Sequence, residues 1–433
     1  MVNLLRYNLH WREGFRYGYD KKRNLYHELI KHVDTRPVLG VVGLRRTGKT
    51  VLLKQLIDYL IEEGHPRDRI IYFSFDEEVA SIHEVIKEFI SRTGKELQEL
   101  GMVHVFLDEI QKLEGWQNQV KYYYDTHPNL KFYVSGSSSL FLKKRAEESL
   151  AGRIFLFELP VLSFGEFLCF KGKNDMVEKP EMFREALADE VELYAKRQLP
   201  ELVTADQSFV EMYVGSIISK VIYEDLPKIF PIEYEDALER ILRIVASNPG
   251  LVTDYRGLAG DLGISRKTLS NYVSYLEKGF LIRKHYNFSR NLLTSEKKMK
   301  KLYLTNTTFQ FALGRAPEFS RVVENLVVSS SGSRFFWRRG NFEVDAVLLR
   351  DEGITPVESK YKDNIRDREL KGLLKFMDEF SVDKGLVVSK DLDTERGIKG
   401  RYIKFIPLWR WLMETTPWRT TSASALKQIF RSN

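Results

Sequence analysis

Three groups of residues have the types and spacing for chemistry. The first is Gly43-Leu44-Arg45-Arg46-Thr47-Gly48-Lys49-Thr50, which fits the pattern G-x-x-x-x-G-K-[ST]. An apolar strand candidate precedes it and an amphipathic helix candidate follows it. In that setting Gly43 and Gly48 let the backbone N–H groups through Arg46 and Thr47 wrap phosphate oxygens. The helix N-terminus adds partial positive charge. Lys49 then neutralises β- and γ-phosphate oxygens, and the Thr50 hydroxyl holds Mg²⁺. Arg45 and Arg46 lie inside the loop, where they touch phosphate or pair with nearby acids.

Downstream, Phe106-Leu107-Asp108-Glu109 closes an apolar strand. Asp108 is placed to orient Mg²⁺ and Glu109 to polarise an attacking water. The next strand ends in Ser135-Gly136-Ser137-Ser138, where Ser137 is the candidate for contact with a γ-phosphate or the water; a plain turn is the alternative. Phosphoryl transfer also calls on an arginine to stabilise developing charge. Arg153, in Leu150-Ala151-Gly152-Arg153, is the candidate, acting in its own subunit or in a neighbour; an ordinary salt bridge is the alternative. His104, on the strand that ends at Asp108, reads as a core histidine.

The second group is cationic. Leu258-Ala259, Leu262-Gly263-Ile264-Ser265, Thr268-Leu269, Tyr272-Val273 and Leu276 follow a helix-turn-helix pattern. Ser265 caps the second helix. That helix exposes Arg266, Lys267, Ser270 and Asn271 toward phosphates or base edges. Arg283, Lys284 and the lysines at 297, 298, 300 and 301 belong to or near a following wing. Packing inside a larger assembly is the competing role for such a module. The third group is acidic: Glu324 in a helical stretch, Asp345 after Phe342-Glu343-Val344, and Glu358-Ser359-Lys360 ending the next strand. Two strands joined by a short turn bring Asp345 and Glu358 together. Paired carboxylates hold a divalent cation, and Lys360 orients water or stabilises phosphorane charge. This third pattern resembles the PD-(D/E)xK nuclease core, whose short motif also occurs on ordinary surface strands.

The elements that must position these groups are legible in outline. Val38 to Val42, Ile70 to Phe75, Val103 to Leu107 and Lys131 to Val134 read as buried strands alternating with helices over 22 to 34, 51 to 62 and 82 to 90. That alternation indicates a parallel α/β sheet. After Leu159-Pro160 the signals turn helical, and strands return from about residue 307, ending in Tyr402 to Leu408 and a closing helix with Trp409, Trp411 and Leu412. Core packing is the expected role of those tryptophans.

The chain has 433 residues, 43% hydrophobic and 29% charged, an ordinary globular balance that excludes wholesale disorder. A single core stops growing near ~250–300 residues, so two to four domains are expected. One cysteine, Cys169, excludes a disulfide scaffold and a thiolate metal cluster. No apolar run approaches the ~20 residues that span a bilayer. Met1 to Arg16 lacks a continuous apolar stretch, so no signal peptide and a cytoplasmic location are expected. The net charge is +7, and Leu281 to Lys371 alone holds 18 Lys/Arg against 11 Asp/Glu. A localised basic region indicates a polyanion partner; a solvated surface rich in ion pairs is the alternative.

Taken in order, Gly-Leu-Arg-Arg-Thr-Gly-Lys-Thr, Leu107-Asp108-Glu109-Ile110-Gln111-Lys112, Gly115-Trp116, Ser135-Gly136-Ser137-Ser138 and Ala151-Gly152-Arg153 resemble the prokaryotic AAA-type ATPases common in archaea. Ser163-Phe164-Gly165-Glu166-Phe167 and Ile222-Tyr223-Glu224-Asp225-Leu226 fit that family's helical lid. The resemblance implies a P-loop core over 1–160, a helical lid over 161–233, a winged helix over 234–306 and a restriction-endonuclease-like α/β domain over 307–433. It implies an ATPase using ATP and Mg²⁺ and acting on duplex or branched DNA. It leaves open a second Mg²⁺ or Mn²⁺ at Glu324, Asp345 and Glu358, DNA cleavage there, and a homo-oligomer. A nucleotide-gated signalling switch, or a transcription regulator with an inactive nuclease fold, are the alternatives. Two positions depart from the family: Arg197-Gln198-Leu199-Pro200 lacks a glycine pair, and Asn306 stands where an acid is usual.

Overall fold

Strands that are apolar at every position, not at alternate ones, are covered on both faces. Val38–Val42 (β1), Ile70–Ser74 (β2), Val103–Asp108 (β3) and Leu130–Gly136 (β4) are buried along their whole length. With Ile154–Glu158 (β5) they form one parallel sheet in the order β2-β3-β4-β1-β5. β5 was not marked by periodicity. It is an edge strand, and its Phe155 and Leu156 are exposed. The computed structural model describes residues 2–76, 80–137, 150–314, 318–350 and 353–415.

In a parallel sheet every strand points the same way, so the loops after β1, β3 and β4 gather at one edge. The phosphate-loop candidate follows β1, and the helix Lys49–Glu62 follows it. Asp108 ends β3. Two compact units divide the chain: Met1–Pro160 with Glu224–Pro231, and Val161–Tyr223 with Ile232–Asn433.

The second unit contains two further sheets. One has the order β10-β9-β7-β8-β6, from Leu251–Val252 (β6), Ile282–Asn287 (β7), Lys300–Leu304 (β8), Phe335–Arg339 (β9) and Phe342–Val344 (β10). β7 and β8 are antiparallel, and β7 pairs in parallel with β9. This sheet therefore runs across the position 306/307. The helices Glu235–Ser247, Tyr255–Leu262 and Arg266–Lys278 precede β7, and Ser265 caps the last of them by accepting from Thr268 N at 3.0 Å.

The other sheet has the order β11-β12-β13-β15-β14: Ala346–Arg350 (β11), Gly353–Lys360 (β12), Lys384–Ser389 (β13), Thr394–Ile398 (β14) and Arg401–Pro407 (β15). β11 and β12 are antiparallel with Ala346 opposite Val357, which carries Asp345 alongside Glu358. The helix Phe319–Ser330 buries Val322, Val323 and Leu326 in one core with Phe164, Phe167, Trp409 and Trp411. Trp409 and Trp411 are thus packing residues. Asn306 caps the helix Thr307–Leu313 by accepting from Phe309 N at 3.1 Å, a task its amide does as well as an acid's carboxylate. Gln198 accepts from Thr307 N at 2.7 Å, so this departure from the family pattern has a bonding role as well.

Candidate functional site

Backbone geometry makes the phosphate loop. Gly48 has φ +98, a left-handed value that favours glycine, and a Cβ on Gly43 would lie 2.3 Å from the Leu159 carbonyl oxygen. Thr47 Oγ1 donates to Leu44 O at 3.0 Å. Arg23, 3% exposed, braces the loop from outside by donating to Thr47 O at 2.7 Å and to Pro160 O at 2.9 Å. No motif marked Arg23. The Lys49 ammonium is buried and donates to the carbonyls of Gly43 at 3.2 Å and Leu44 at 3.1 Å. Burial lowers its pKa, with Glu109 and Asp108 pulling the other way.

Asp108 is the hub of the site. Its Oδ2 accepts from Thr50 Oγ1 at 2.6 Å and from Tyr72 OH at 2.8 Å. Its Oδ1 accepts from Ser135 Oγ and, at 3.1 Å, from Glu109 N. Glu109 has φ +51, a left-handed conformation that costs a non-glycine residue on the order of 1–3 kcal/mol. Its Oε2 accepts from Gln111 Nε2 at 2.5 Å. Thr50 and Asp108 form a pair of hard oxygen donors suited to Mg²⁺. Arg45 is held by a two-point ion pair with Asp225, at 2.5 and 2.6 Å. That hydrogen-bonded pairing raises the arginine's pKa.

The second unit assembles a separate acidic centre. Carboxylate oxygens of Glu324, Glu343 and Asp345 lie within 4.8 Å of one another. Asp345 Oδ2 accepts from Ser359 N and Ser359 Oγ, both at 2.7 Å. Lys360 Nζ meets Glu358 Oε1 at 2.6 Å. Glu358 is 7% exposed, and its Oε2 has no hydrogen-bond partner among the described residues. Burial, reinforced by Asp345, pushes this carboxyl up to about 8. Lys301, 3% exposed, donates to Glu324 Oε1 at 3.1 Å, to Glu343 Oε1 and to Tyr303 OH at 3.3 Å. Burial works against its charge, but Glu324, Asp345 and Glu343 outweigh burial and raise its pKa.

Comparison with known proteins bears on the first of these sites. Residues 35–168 match the model of an AAA domain. The first unit carries an AAA-type ATPase core. Residues 198–318 and 320–411 match two domains of unknown function, DUF8612 and DUF4143. An uncharacterized protein of Methanocaldococcus jannaschii is 26% identical over 86% of this chain and 87% of its own length. An uncharacterized protein of Haemophilus influenzae is 23% identical over 90% of this chain and 98% of its own. Among solved structures, AMPPCP-bound DnaA from Aquifex aeolicus is 16% identical with a TM-score of 0.31, covering 59% of this chain and 86% of that one. DnaA bound to AMPPCP and single-stranded DNA gives 15% and 0.31, over 63% of this chain and 92% of that one. Scores this low do not establish a shared fold. No helix among the described residues is long and apolar enough to cross a membrane.

Within the AAA core the structure brings Gly43, Thr47, Gly48, Lys49, Thr50, Asp108 and Glu109 to one edge of the sheet, as the motifs require. Arg46 is exposed at the loop's crest with φ +67. Of the two alternatives for Arg153, the structure disfavours action on its own subunit's phosphates. Its carbonyl accepts from Val38 N, which places it at the start of β1, the opposite edge from Gly43, and its side chain pairs with Asp125 at 2.9 Å. Ser137 is buried just past β4, but the hydroxyl bonded to Asp108 is that of Ser135, two residues earlier. Alternation along β4 carries that signal. Ser138 lies outside the described residues. His104 is buried and bonds Tyr133 OH at 3.1 Å, a core histidine.

In the second unit, Glu324, Asp345, Glu358 and Lys360 do come together. Glu343 was missed as a site residue, because on its strand it read only as a neighbour of Asp345. Lys301 is a correction: it faces the acids from inside, and is no surface cation of a wing. Arg266, Lys267 and Asn271 are exposed on one helix. Arg283 is half-buried, and Lys284 is taken up by an ion pair with Glu277 at 2.8 Å.

Proposed function

We propose that this protein binds and hydrolyses ATP with Mg²⁺ at the AAA core and acts on DNA through the second unit. The observation that carries the reading is the hydrogen bond between Thr50 and Asp108, with Lys49 and the left-handed Glu109 beside it. Thr50 and Asp108 would hold Mg²⁺, which supplies charge neutralisation for phosphoryl transfer. Lys49 exchanges two neutral carbonyls for phosphate oxygens. Glu109 takes the proton of the attacking water. Arg153 serves a neighbouring copy in a homo-oligomer, since its own site is at the far edge.

Coupling to the second unit rests on Asp225. It holds Arg45 of the phosphate loop, and it lies in Glu224–Pro231, whose flanks on both sides belong to the second unit. Phosphate arriving at Arg45 competes with that carboxylate. On this reading residues 161–233 hold the lid's helices and 234–306 the winged helix, whose sheet continues through β9 and β10 into the restriction-endonuclease-like segment 307–433. DNA lies on Arg266, Lys267 and Asn271, with Arg283 nearby.

The test is ATP turnover of native protein and Glu109→Gln, with and without duplex and branched DNA over a salt series. Glu109→Gln is expected to bind ATP normally and lose turnover by ~10²–10⁴-fold. Normal turnover in that variant removes the general-base assignment. DNA is expected to stimulate turnover, with an affinity that falls steeply with salt. Arg266→Ala with Lys267→Ala is expected to lower that slope by about one unit for each phosphate no longer neutralised. Turnover indifferent to every nucleic acid removes the DNA reading.

One observation favours a second reading, a nucleotide-gated regulator whose nuclease-like domain is inactive: Lys301 already lies between Glu324 and Glu343. Incubation of labelled DNA with Mn²⁺ separates the two readings. Cutting that disappears in Glu358→Ala supports a nuclease, and binding without cutting supports the regulator.

A further inference from the structure

The carboxylate centre has two halves that differ in how their charge is met. In one half, Lys301 Nζ lies on Glu324 Oε1 and Glu343 Oε1, with Tyr303 OH also bonded to Glu324 Oε1 at 2.6 Å. Arg338 adds a longer contact to Glu343 Oε2 at 3.8 Å from the surface. In the other half, among the described residues, Asp345 accepts hydrogen bonds only from the amide and hydroxyl of Ser359, and Lys301 and Lys360 act on it through charge without a hydrogen bond. Glu358 Oε1 meets Lys360, and its buried Oε2 meets no described donor. Buried carboxylate oxygens are expected to have partners, so an orphan next to a second carboxylate marks a place for a cation.

We propose that Lys301 is a tethered cation filling one of two cation positions in this centre, so that the centre takes a single divalent ion, held by Asp345 and Glu358. The proposal rests on reading the centre as a divalent-cation site, and it specifies which half of it is open. Two features explain why the lysine stays in place. Lys301 is carried by β8, which is paired on one side with β7 and on the other with β6, so its backbone is fixed by the sheet. Gly250 clears space for the same arrangement: a Cβ there would lie 2.8 Å from Glu324 Oε1 and 3.1 Å from Tyr303 OH. A side chain at residue 250 would push Glu324 out of reach of the ammonium. An ammonium and a divalent cation both satisfy clustered carboxylates, but only the exchangeable one offers open coordination positions to a substrate. The centre so described is a one-metal site.

The experiment counts Mn²⁺ bound to the full chain without nucleotide, by calorimetry and by the loss of free-ion EPR signal. Every protein carries Asp108→Asn, so that the AAA core contributes no ion. The parent is expected to bind one Mn²⁺. Glu358→Gln is expected to weaken that site at least tenfold, and Glu343→Gln to change it by less than threefold. Lys301→Met is expected to gain a second ion, while Lys301→Arg keeps the count at one. The proposal is overturned if the parent binds two ions. It is equally overturned if Glu343→Gln abolishes binding while Glu358→Gln spares it, since the ion then sits where Lys301 is placed. Glu343 is partly exposed, so its variant tests the proposal even if Lys301→Met fails to fold. No Mn²⁺ bound by any form, Lys301→Met included, overturns the reading of the centre as a divalent-cation site, a failure distinct from a wrong position or count.

Discussion

Lys49 and Lys301 are both buried lysines, and their surroundings drive them in opposite directions. Lys49 is bonded to two neutral carbonyls, and burial lowers its pKa. Lys301 is bonded to two carboxylates, and their charge overcomes burial and raises it. A buried cation with neutral partners is held against a desolvation cost that an incoming anion relieves. A buried cation already paired with anions has nothing to gain from a further anion. The first arrangement suits an incoming phosphate. The second is an ion cluster that has no use for an anion.

This contrast fails if the two lysines respond alike to removal. Lys301→Met leaves Glu324 and Glu343, both partly exposed, facing each other, and the loss is expected to reach at most the about 3–5 kcal/mol of a fully buried pair. Chemical denaturation at pH 7 without divalent ions is the measurement. A loss below about 1 kcal/mol would mean that the cluster is not held by Lys301. Mn²⁺ is expected to restore part of the loss.

Next in size is the pH response of Glu358. Its folded-state pKa is pushed up to about 8 from an ordinary value of 4.5, so between those values the folded state binds more protons than the unfolded. Stability contributed by the protonated carboxyl is present below about pH 4.5 and is lost as pH rises toward 8. Above that the effect is constant. The loss is on the order of a few kcal/mol. Glu358→Gln is expected to flatten this slope between about pH 5 and 8, read from denaturation midpoints in a pH series. Parallel slopes for the two proteins would place the titration elsewhere.

The smallest effect on stability belongs to Lys49. Lys49→Met removes a cation bonded only to neutral carbonyls among the described residues, so stability is expected to stay within about 1 kcal/mol of native. ATP affinity is expected to fall by at least ~100-fold, consistent with removing a charge-assisted hydrogen bond of about two to three kcal/mol. Equilibrium binding of a fluorescent ATP analogue, beside the denaturation curve, checks both.

How far each centre could be read from the chain follows the same division. The phosphate loop is local: eight consecutive residues contain its glycines, lysine and threonine, and the strand before them and the helix after them show in the apolar spacing. Asp108 and Glu109 were legible because they end a buried strand. What the motifs missed in the AAA core came from elsewhere in the chain: Arg23 behind the loop, Tyr72 and Ser135 from neighbouring strands, and Asp225 on Arg45. For Arg153 the sequence leaves its own subunit and a neighbour equally open, because periodicity does not mark β5. Once β5 is known to run parallel to β1, a residue just before it must lie at the edge opposite Gly43.

The carboxylate centre was only half legible. Asp345, Glu358 and Lys360 sit on one hairpin, where two-residue alternation and a short turn suffice to pair them. Glu324 needed a helix in the right place, and Lys301 and Glu343 needed the β7–β8 hairpin to join β9 and β10 in one sheet. By itself, then, the amino-acid sequence determined a P-loop strand–loop–helix, a buried strand with an acidic end, a basic C-terminal half and a carboxylate hairpin, all of them set by neighbours a few residues apart. Tertiary structure alone decided that Lys301 meets Glu324 and Glu343 and that Arg45 meets Asp225. Those pairings form between residues dozens of positions apart, and only the order and direction of strands bring them within a hydrogen bond's reach.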